Sequence, residues 1–359
     1  MKAEDVRVTQ LLEGPKQFIV PVFQRDYSWG TKQCLQLWND IVRVGSDPCT
    51  KAHFIGSVVY IAAEDNNATI TRWLLIDGQQ RLTTLTLLLV AVRNRLSDIG
   101  HEMFQSDETD SLPTSGELQD YYLHNAYGKG DRRHKLHLRR ADRATLAAIV
   151  DNKASPANAS DRISENLAFF KDKLAVTDIE LVYRGIRKLV AVDVSLTRGQ
   201  DDPQMIFESL NSTGLDLTQA DLIRNYVLMR QDEQLQTRLY QDYWEPIETA
   251  FGQRYRSDFD KFVRDYLTLL LKPSKQLKSD DIYHQFRTCF LASDGTDQVE
   301  SILADLHRLG NYYASFNLGK ESDADLKEVF QRLRLLIDVA SPVVMRLYNC
   351  YDRKGTLTV

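Results

Sequence analysis

Where strands and helices fall along the chain predicts an α+β N-terminal domain, residues 1–200, followed by an all-α domain, residues 201–359. Short β-branched runs such as Phe54–Ala62 and Leu189–Leu196 all precede residue 200. Beyond residue 231 the apolar residues recur at three- and four-residue spacings instead. Between the strands, Leu82–Leu96 carries leucine on nearly every face, which predicts a central, buried helix rather than a surface one.

Taken in order, Val6–Leu12 reads as a short opening helix and Phe18–Phe23 as a strand that Pro21 confines to a sheet edge or a strand end. Gln24–Gly30 follows as a loop. Gln33–Val44 is a helix through Leu35, Leu37, Trp38, Ile41 and Val42. Phe54–Ala62 and Thr69–Ile76 form a hairpin around Glu64–Ala68, and the helix Leu82–Leu96 comes next. Asp98–Ser115 is a polar loop, Leu136–Leu138 a short strand, and Asp142–Val150 and Arg162–Ala175 are helices on either side of a linker-like stretch. After Leu189–Leu196, the helix Pro203–Leu210 stops at Asn211-Ser212-Thr213-Gly214. Thr218–Arg230 restarts with Thr218 as N-cap and Asp221 as its partner in a variant capping box. Glu233–Phe251, Asp258–Leu271, Ser279–Phe290, Gln298–Leu309 and Asp323–Tyr351 complete the helical part.

Composition narrows the function only a little. A net charge of −5, from 45 basic and 50 acidic residues, does not advertise a nucleic-acid binder, although a local basic groove stays compatible with it. The four cysteines form no C-x-x-C pair and stand at no metal-ligand spacing from a histidine, as expected of a reduced, cytoplasmic protein without structural zinc. No apolar run approaches the ~20 residues needed to span a bilayer. The chain has no Walker A loop, H-E-x-x-H, H-N-H or nucleophile elbow, and His53 reads as structural.

Four stretches can carry chemistry. The turn Asp77-Gly78-Gln79-Gln80-Arg81 joins a buried strand to the central helix. Asp77 is placed as an N-cap, and Gly78 permits close backbone approach. The free N–H groups of Gly78–Arg81 would make the helix N-terminus an anion site, to which Arg81 adds a planar fork suited to phosphate. Asp77 could hold Mg²⁺ or orient a water. The competing reading is a well-capped helix with solvent-facing glutamines. Gln24-Arg25-Asp26-Tyr27-Ser28-Trp29 sets a cation and two aromatics after a strand. Arg25 suits a phosphate, and Tyr27 or Trp29 could stack a base, though Trp29 reads better as a core anchor. Asn211, Thr213 and Arg224 could reach a nucleotide, against an ordinary interhelical turn with Gly214 as cap. Lys129–Arg143 holds seven Lys/Arg against two Asp, so Arg132, Arg133, Lys135, Arg139 and Arg140 are candidates for DNA backbone contact. The alternative there is a solvated strand and helix start.

Val20–Trp29 (V-P-V-F-Q-R-D-Y-S-W), His53–Val59 (H-F-I-G-S-V-V), Leu75–Leu85 (L-I-D-G-Q-Q-R-L-T-T-L) and Phe207–Asn225 (F-E-S-L-N-S-T-G-L-D-L-T-Q-A-D-L-I-R-N), in that order, resemble the domain-of-unknown-function family 262. That is the N-terminal module of GmrSD-type modification-dependent restriction enzymes and of SspE-type phosphorothioate-linked defence proteins. Lys135–Asp142 is also similar to the family's strand-then-helix segment. The resemblance implies a ParB/sulfiredoxin-like N-terminal fold, hydrolysis of a nucleoside triphosphate (GTP or UTP), and sensing of modified double-stranded DNA. Carried over, it makes Asp77, Gln79, Gln80 and Arg81 the hydrolysis motif, and Gln24, Arg25 and Tyr27 the facing wall. Proteins of this type often continue into an HNH-type nuclease domain, a motif this chain lacks. Tyr348–Val359 reads as the point where such a domain would begin, so the nuclease is expected further along a longer chain or on a partner subunit.

The leading expectation is therefore an NTP-hydrolysing, Mg²⁺-dependent sensor of an anti-phage restriction system. Two others stand beside it: a binding module that does no chemistry, and a DNA nuclease in its own right. The modification sensed, phosphorothioate or hydroxymethylated or glucosylated cytosine, is not legible in the residues, and a homo-oligomer stays open.

Overall fold

In a computed structural model, residues 1–66, 69–100, 112–211, 217–271, 277–278, 281–290, 296–336 and 339–354 are described. The chain is mixed α/β with a helical C-terminal region. It divides into two compact units, Met1–Pro203 and Gln204–Val359.

The first unit is built on one six-stranded sheet in the order β1-β6-β3-β4-β2-β5. Its strands are β1 (Lys2–Arg7), β2 (Lys16–Ile19), β3 (His53–Ala62), β4 (Thr71–Asp77), β5 (Leu136–His137) and β6 (Leu189–Leu196). β3 and β4 form the expected antiparallel hairpin, and β3 runs parallel to β6. β2 is parallel to both β4 and β5. The opening segment corrects the sequence reading. Lys2–Arg7 is an edge strand, antiparallel to β6, and only Val8–Leu12 (α1) is helical. Lys2–Asp5 are all exposed, so no apolar alternation marked this strand. β2 is likewise shorter than its apolar run and ends two residues before Pro21, which has no N–H to give to a ladder.

Helices α2 (Thr31–Ser46) and α3 (Gln79–Asp98) share one buried core with this sheet; then, along the chain, come α4 (Ser115–Leu118), α5 (Arg140–Val150), α6 (Asp161–Ala175) and α7 (Ile179–Arg187). Helix α3 is the central helix: Leu82, Leu85, Leu88, Leu89, Val92 and Leu96 are all buried in the core. Helix α7 has no counterpart in the sequence reading. It crosses α2 at a pair of glycines, where a Cβ on Gly45 would lie 2.3 Å from the Leu181 carbonyl oxygen and one on Gly185 2.2 Å from that of Ile41.

On β5, His137 keeps a buried Nδ1 with no hydrogen-bond partner. Burial first, then the charge of Arg143, holds its pKa down at about 4. An unfolded histidine titrates near 6.5. Between these values the unfolded chain binds a proton that the folded chain does not, so stability is lost as pH falls from about 6.5 to about 4. The loss is at most ~3 kcal/mol, and less in so far as water reaches the ring. His137→Gln is expected to flatten this part of the curve of urea midpoint against pH; an unchanged slope would remove His137 as its source.

The second unit is helical: α8 (from Pro203 to Asn211), α9 (Gln219–Leu228), α10 (Glu233–Leu239), α11 (Glu245–Phe251), α12 (Tyr255–Leu271), α13 (Ile282–Phe290), α14 (Thr296–Asn317), α15 (Ala324–Leu336) and α16 (Ser341–Lys354). Thr218 caps α9, with Asp221 completing the box. The long helix expected over Glu233–Phe251 is interrupted by a π turn at Tyr240–Trp244. The one expected over Asp323–Tyr351 is two helices, the second starting at Ser341-Pro342, where proline suits a first turn. Trp244, Phe251, Phe259, Phe262 and Tyr313 form an aromatic core, with Phe251 and Tyr313 stacked at 5.7 Å. No described helix is long and apolar enough to cross a membrane.

Candidate nucleotide site at the start of the central helix

Strand β4 ends at Asp77 and α3 begins at Gln79, so a single residue, Gly78, makes the turn. Gly78 is the N-cap residue, with φ +94°, a backbone state that side chains strain. A Cβ there would meet the Ser57 carbonyl oxygen and Val58 Cγ2 at 3.1 Å. Asp77 is therefore not the N-cap. Its carboxylate instead accepts a hydrogen bond from Arg81 at 2.8 Å, one helical turn on. The same Arg81 nitrogen donates to the Ser57 carbonyl at 2.5 Å.

Gly56 explains why the guanidinium fits. It lies at φ +107° where the β3–β6 register shifts, and a Cβ on it would fall 3.0 Å from Arg81 Nη1. The G-S-V of His53–Val59 and the D-G-Q-Q-R of the turn are thus two halves of one packing arrangement. Arg81 Nε is buried without a hydrogen-bond partner. Arg81 and Asp77 keep about a quarter of their side-chain surface, 24% and 26%.

The two glutamines are not solvent-facing; each is 8% exposed. Gln80 Oε1 accepts from the backbone N–H of Ser28 at 2.8 Å and of Trp29 at 3.1 Å, and its amide nitrogen donates to the Asp26 carbonyl. Gln79 donates to Gln24 Oε1 at 3.2 Å, and Gln24 donates to the Ile76 carbonyl at 2.8 Å. Buried amides in such a network hold one loop conformation, because each bond lost would leave a buried partner unpaired. Helix, turn and the Gln24–Trp29 loop are joined in one hydrogen-bonded unit.

Tyr27 is buried and does not present its ring for stacking. Its hydroxyl is bonded to Thr84 Oγ1 at 2.7 Å and accepts from Asn166 at 2.9 Å, while its backbone N–H donates to Asp142. Burial drives the Tyr27 hydroxyl pKa well above the usual phenol range and raises that of the Asp142 carboxyl. Trp29 packs against the core, as an anchor. Tyr27→Phe is expected to cost about 1–2 kcal/mol, the worth of a buried hydrogen bond to neutral partners, with unchanged affinity for DNA. Weakened DNA binding in a variant of unchanged stability would return Tyr27 to the interface. Arg25 remains partly exposed, beside a crevice shared with Gln79, Gln80 and Arg139. The crevice, about 10 Å³, has room for one water at most.

The basic stretch separates into buried, surface-paired and exposed cations. Lys135, 3% exposed, donates to the Gly14 carbonyl, and burial lowers its pKa to about 8. Arg139 is buried and donates to the Gln24 carbonyl. These two hold backbone, not DNA. Arg132 pairs with Asp65 at 3.5 Å, and Arg143 with Asp131 at 2.7 Å. Lys129, Arg133 and Arg140 are exposed.

Among the second-unit candidates, Arg224 is 2% exposed and bridges Asp221 and Glu248, each at 2.8 Å. It anchors α9 to α11 and is not offered to a ligand. Asn211 ends α8 with its side chain outside the described residues, and Thr213 and Gly214 also lie outside them.

Asn166, Thr84, Ser57 and Gly56 belong to the site although sequence reasoning did not single them out. Gly56 stood in a quoted motif, whereas Asn166 lies 139 residues from Tyr27 with no local signal.

The fold and this turn define a mixed α/β module with a charged pair held at the start of a buried helix. Residues 8–228 match the family model described as GmrSD restriction endonuclease, N-terminal domain, and the chain belongs to that family. This places it in a restriction, and hence defence, context. Among curated proteins none matches the chain.

Proposed function

We propose that this chain is the nucleotide-hydrolysing sensor module of a restriction system: it binds modified double-stranded DNA, hydrolyses GTP or UTP, and so controls a nuclease domain or subunit. The observation that carries the reading is the Asp77–Arg81 pair. It is the charged, solvent-reaching edge of a network otherwise buried and rigid. The N-terminus of α3 has no side-chain cap, which leaves its first N–H groups and dipole to an anion. The orphaned Arg81 Nε is a further donor that a phosphate oxygen would satisfy once the side chain turns.

A triphosphate of this reading lies on the solvent side of the turn, since the crevice behind it is too small. Arg81 binds and neutralises phosphate charge. Asp77, a single carboxylate, fits Mg²⁺, which is commonly held by one or two carboxylates plus phosphates. When bound, the ion supplies charge neutralisation for phosphoryl transfer. Gln24, Gln79 and Gln80 keep turn and loop in register. Lys129, Arg133, Arg140 and Arg25 are the surface cations that would follow a DNA backbone.

One observation favours a second reading, a nucleotide- or DNA-binding module without hydrolysis. Gln80 Oε1 is already committed to two backbone N–H groups, so it is not free to orient a water. Phosphate release from GTP and UTP with Mg²⁺, set beside binding of the same nucleotides, separates the two. Release with turnover supports the first, and tight binding without release the second. No binding of either nucleotide rejects both as nucleotide readings.

A further inference from the structure

Beside the C-terminal part of α3, away from the Asp77–Arg81 turn at its start, His124 and His134 are joined by an isolated antiparallel bridge, and Asp151 sits at the C-terminal cap of α5. The three are 10 and 17 residues apart, so no sequence spacing announces them. Both imidazoles aim Nε2 at one carboxylate oxygen, Asp151 Oδ1, at 2.9 Å and 3.0 Å. Their ligand atoms all lie within 4.8 Å of one another. The side chains are 9%, 19% and 8% exposed. His124 and Asp151 border a polar cavity of about 800 Å³ that also meets Asp98, Asp120 and Gln119.

We propose that His124, His134 and Asp151 form a binding site for a divalent zinc-type cation, with water from the cavity completing its coordination. Two imidazoles and a carboxylate are a donor set suited to zinc rather than to magnesium or calcium. With ligands at about 2.0–2.2 Å, the edges of a tetrahedron are roughly 3.3 Å long, so the two nitrogen–oxygen separations need to open by only a few tenths of an ångström. The α5 C-terminus adds negative potential. Buried Arg93 holds the surrounding frame, donating to Gln119 and to the carbonyls of Ile149 and Val150. Two cations now touch the carboxylate, Lys153 at 2.8 Å and Arg133 at 3.6 Å. Both are half or more exposed, so a dication can displace them into water. Metal on Nε2 puts the His124 proton on Nδ1, so the Gln119 amide nitrogen, now 2.7 Å from Nδ1 and 3.0 Å from Nε2, gives up its contact with the ring while the Gln119 carbonyl keeps its bond from Arg93.

The test is titration of the full chain with Co²⁺ and Zn²⁺ after chelator treatment, read by visible d–d absorption and by metal content after dialysis. One equivalent is expected, with the Co²⁺ bands of a low-coordinate nitrogen–oxygen site. His134→Ala should weaken binding by more than the about 10–100-fold that loss of an outer partner costs. Asp151→Asn should do likewise, and Gln119→Glu, which offers Nδ1–H a carboxylate, should tighten it. His134 is the least buried of the three, so this variant is the one expected to fold, which circular dichroism checks. Absence of stoichiometric uptake, or an unchanged Co²⁺ spectrum in folded His134→Ala, overturns the site.

Discussion

Arg81→Ala is expected to lower nucleotide hydrolysis by about 10²–10³-fold, the usual cost of removing one donor aimed at developing charge. The fold should survive. Arg81 is partly exposed, and the substitution removes one ion pair and one bond to a carbonyl at the edge of the network. Arg81→Lys is not a rescue: an ammonium cannot donate to Ser57 and Asp77 while presenting a planar fork to phosphate. Both variants are compared with wild type at saturating GTP and by thermal denaturation. Hydrolysis within a factor of two of wild type in folded Arg81→Ala would take the turn out of the chemistry.

Gly78→Ala should have the largest effect on stability. A side chain at φ +94° costs about 1–3 kcal/mol in backbone strain. Forcing the methyl against Ser57 and Val58 adds roughly 1–3 kcal/mol of overpacking. For a unit of this size the sum lowers Tm by roughly 4–24 °C. Gly100 supplies the control. It has φ +64° but open space around it, so Gly100→Ala carries only the backbone part. Equal shifts for the two would mean that contact with β3 contributes nothing at Gly78.

The features set by neighbouring residues were legible in local pattern. The β3–β4 hairpin, the buried leucine helix and the capping box at Thr218 each follow from residues close in sequence. The site was legible only as a turn. That Gln79 and Gln80 are buried depends on the Gln24–Trp29 loop, more than 50 residues earlier, closing over them. The same lack of locality misled the reading of the basic stretch. Lys135 and Arg139 look like surface charges, yet their long side chains run inward to the carbonyls of Gly14 and Gln24, more than 100 residues away. Asp77 looked like a cap because Asp-Gly before a helix usually is one. Arg81, one turn on, competes for its carboxylate and leaves the cap position to the glycine.

The most direct measurement is release of inorganic phosphate from GTP and from UTP by the full chain with Mg²⁺, with no DNA, with an unmodified duplex and with matched phosphorothioate and glucosylated duplexes at one stated salt concentration. The account predicts turnover that one modified duplex raises and the unmodified duplex does not, and that Arg81→Ala lowers by about 10²–10³-fold under every condition. Turnover in folded Arg81→Ala within a factor of two of wild type, or a wild-type chain that releases no phosphate under any of these conditions, would contradict it.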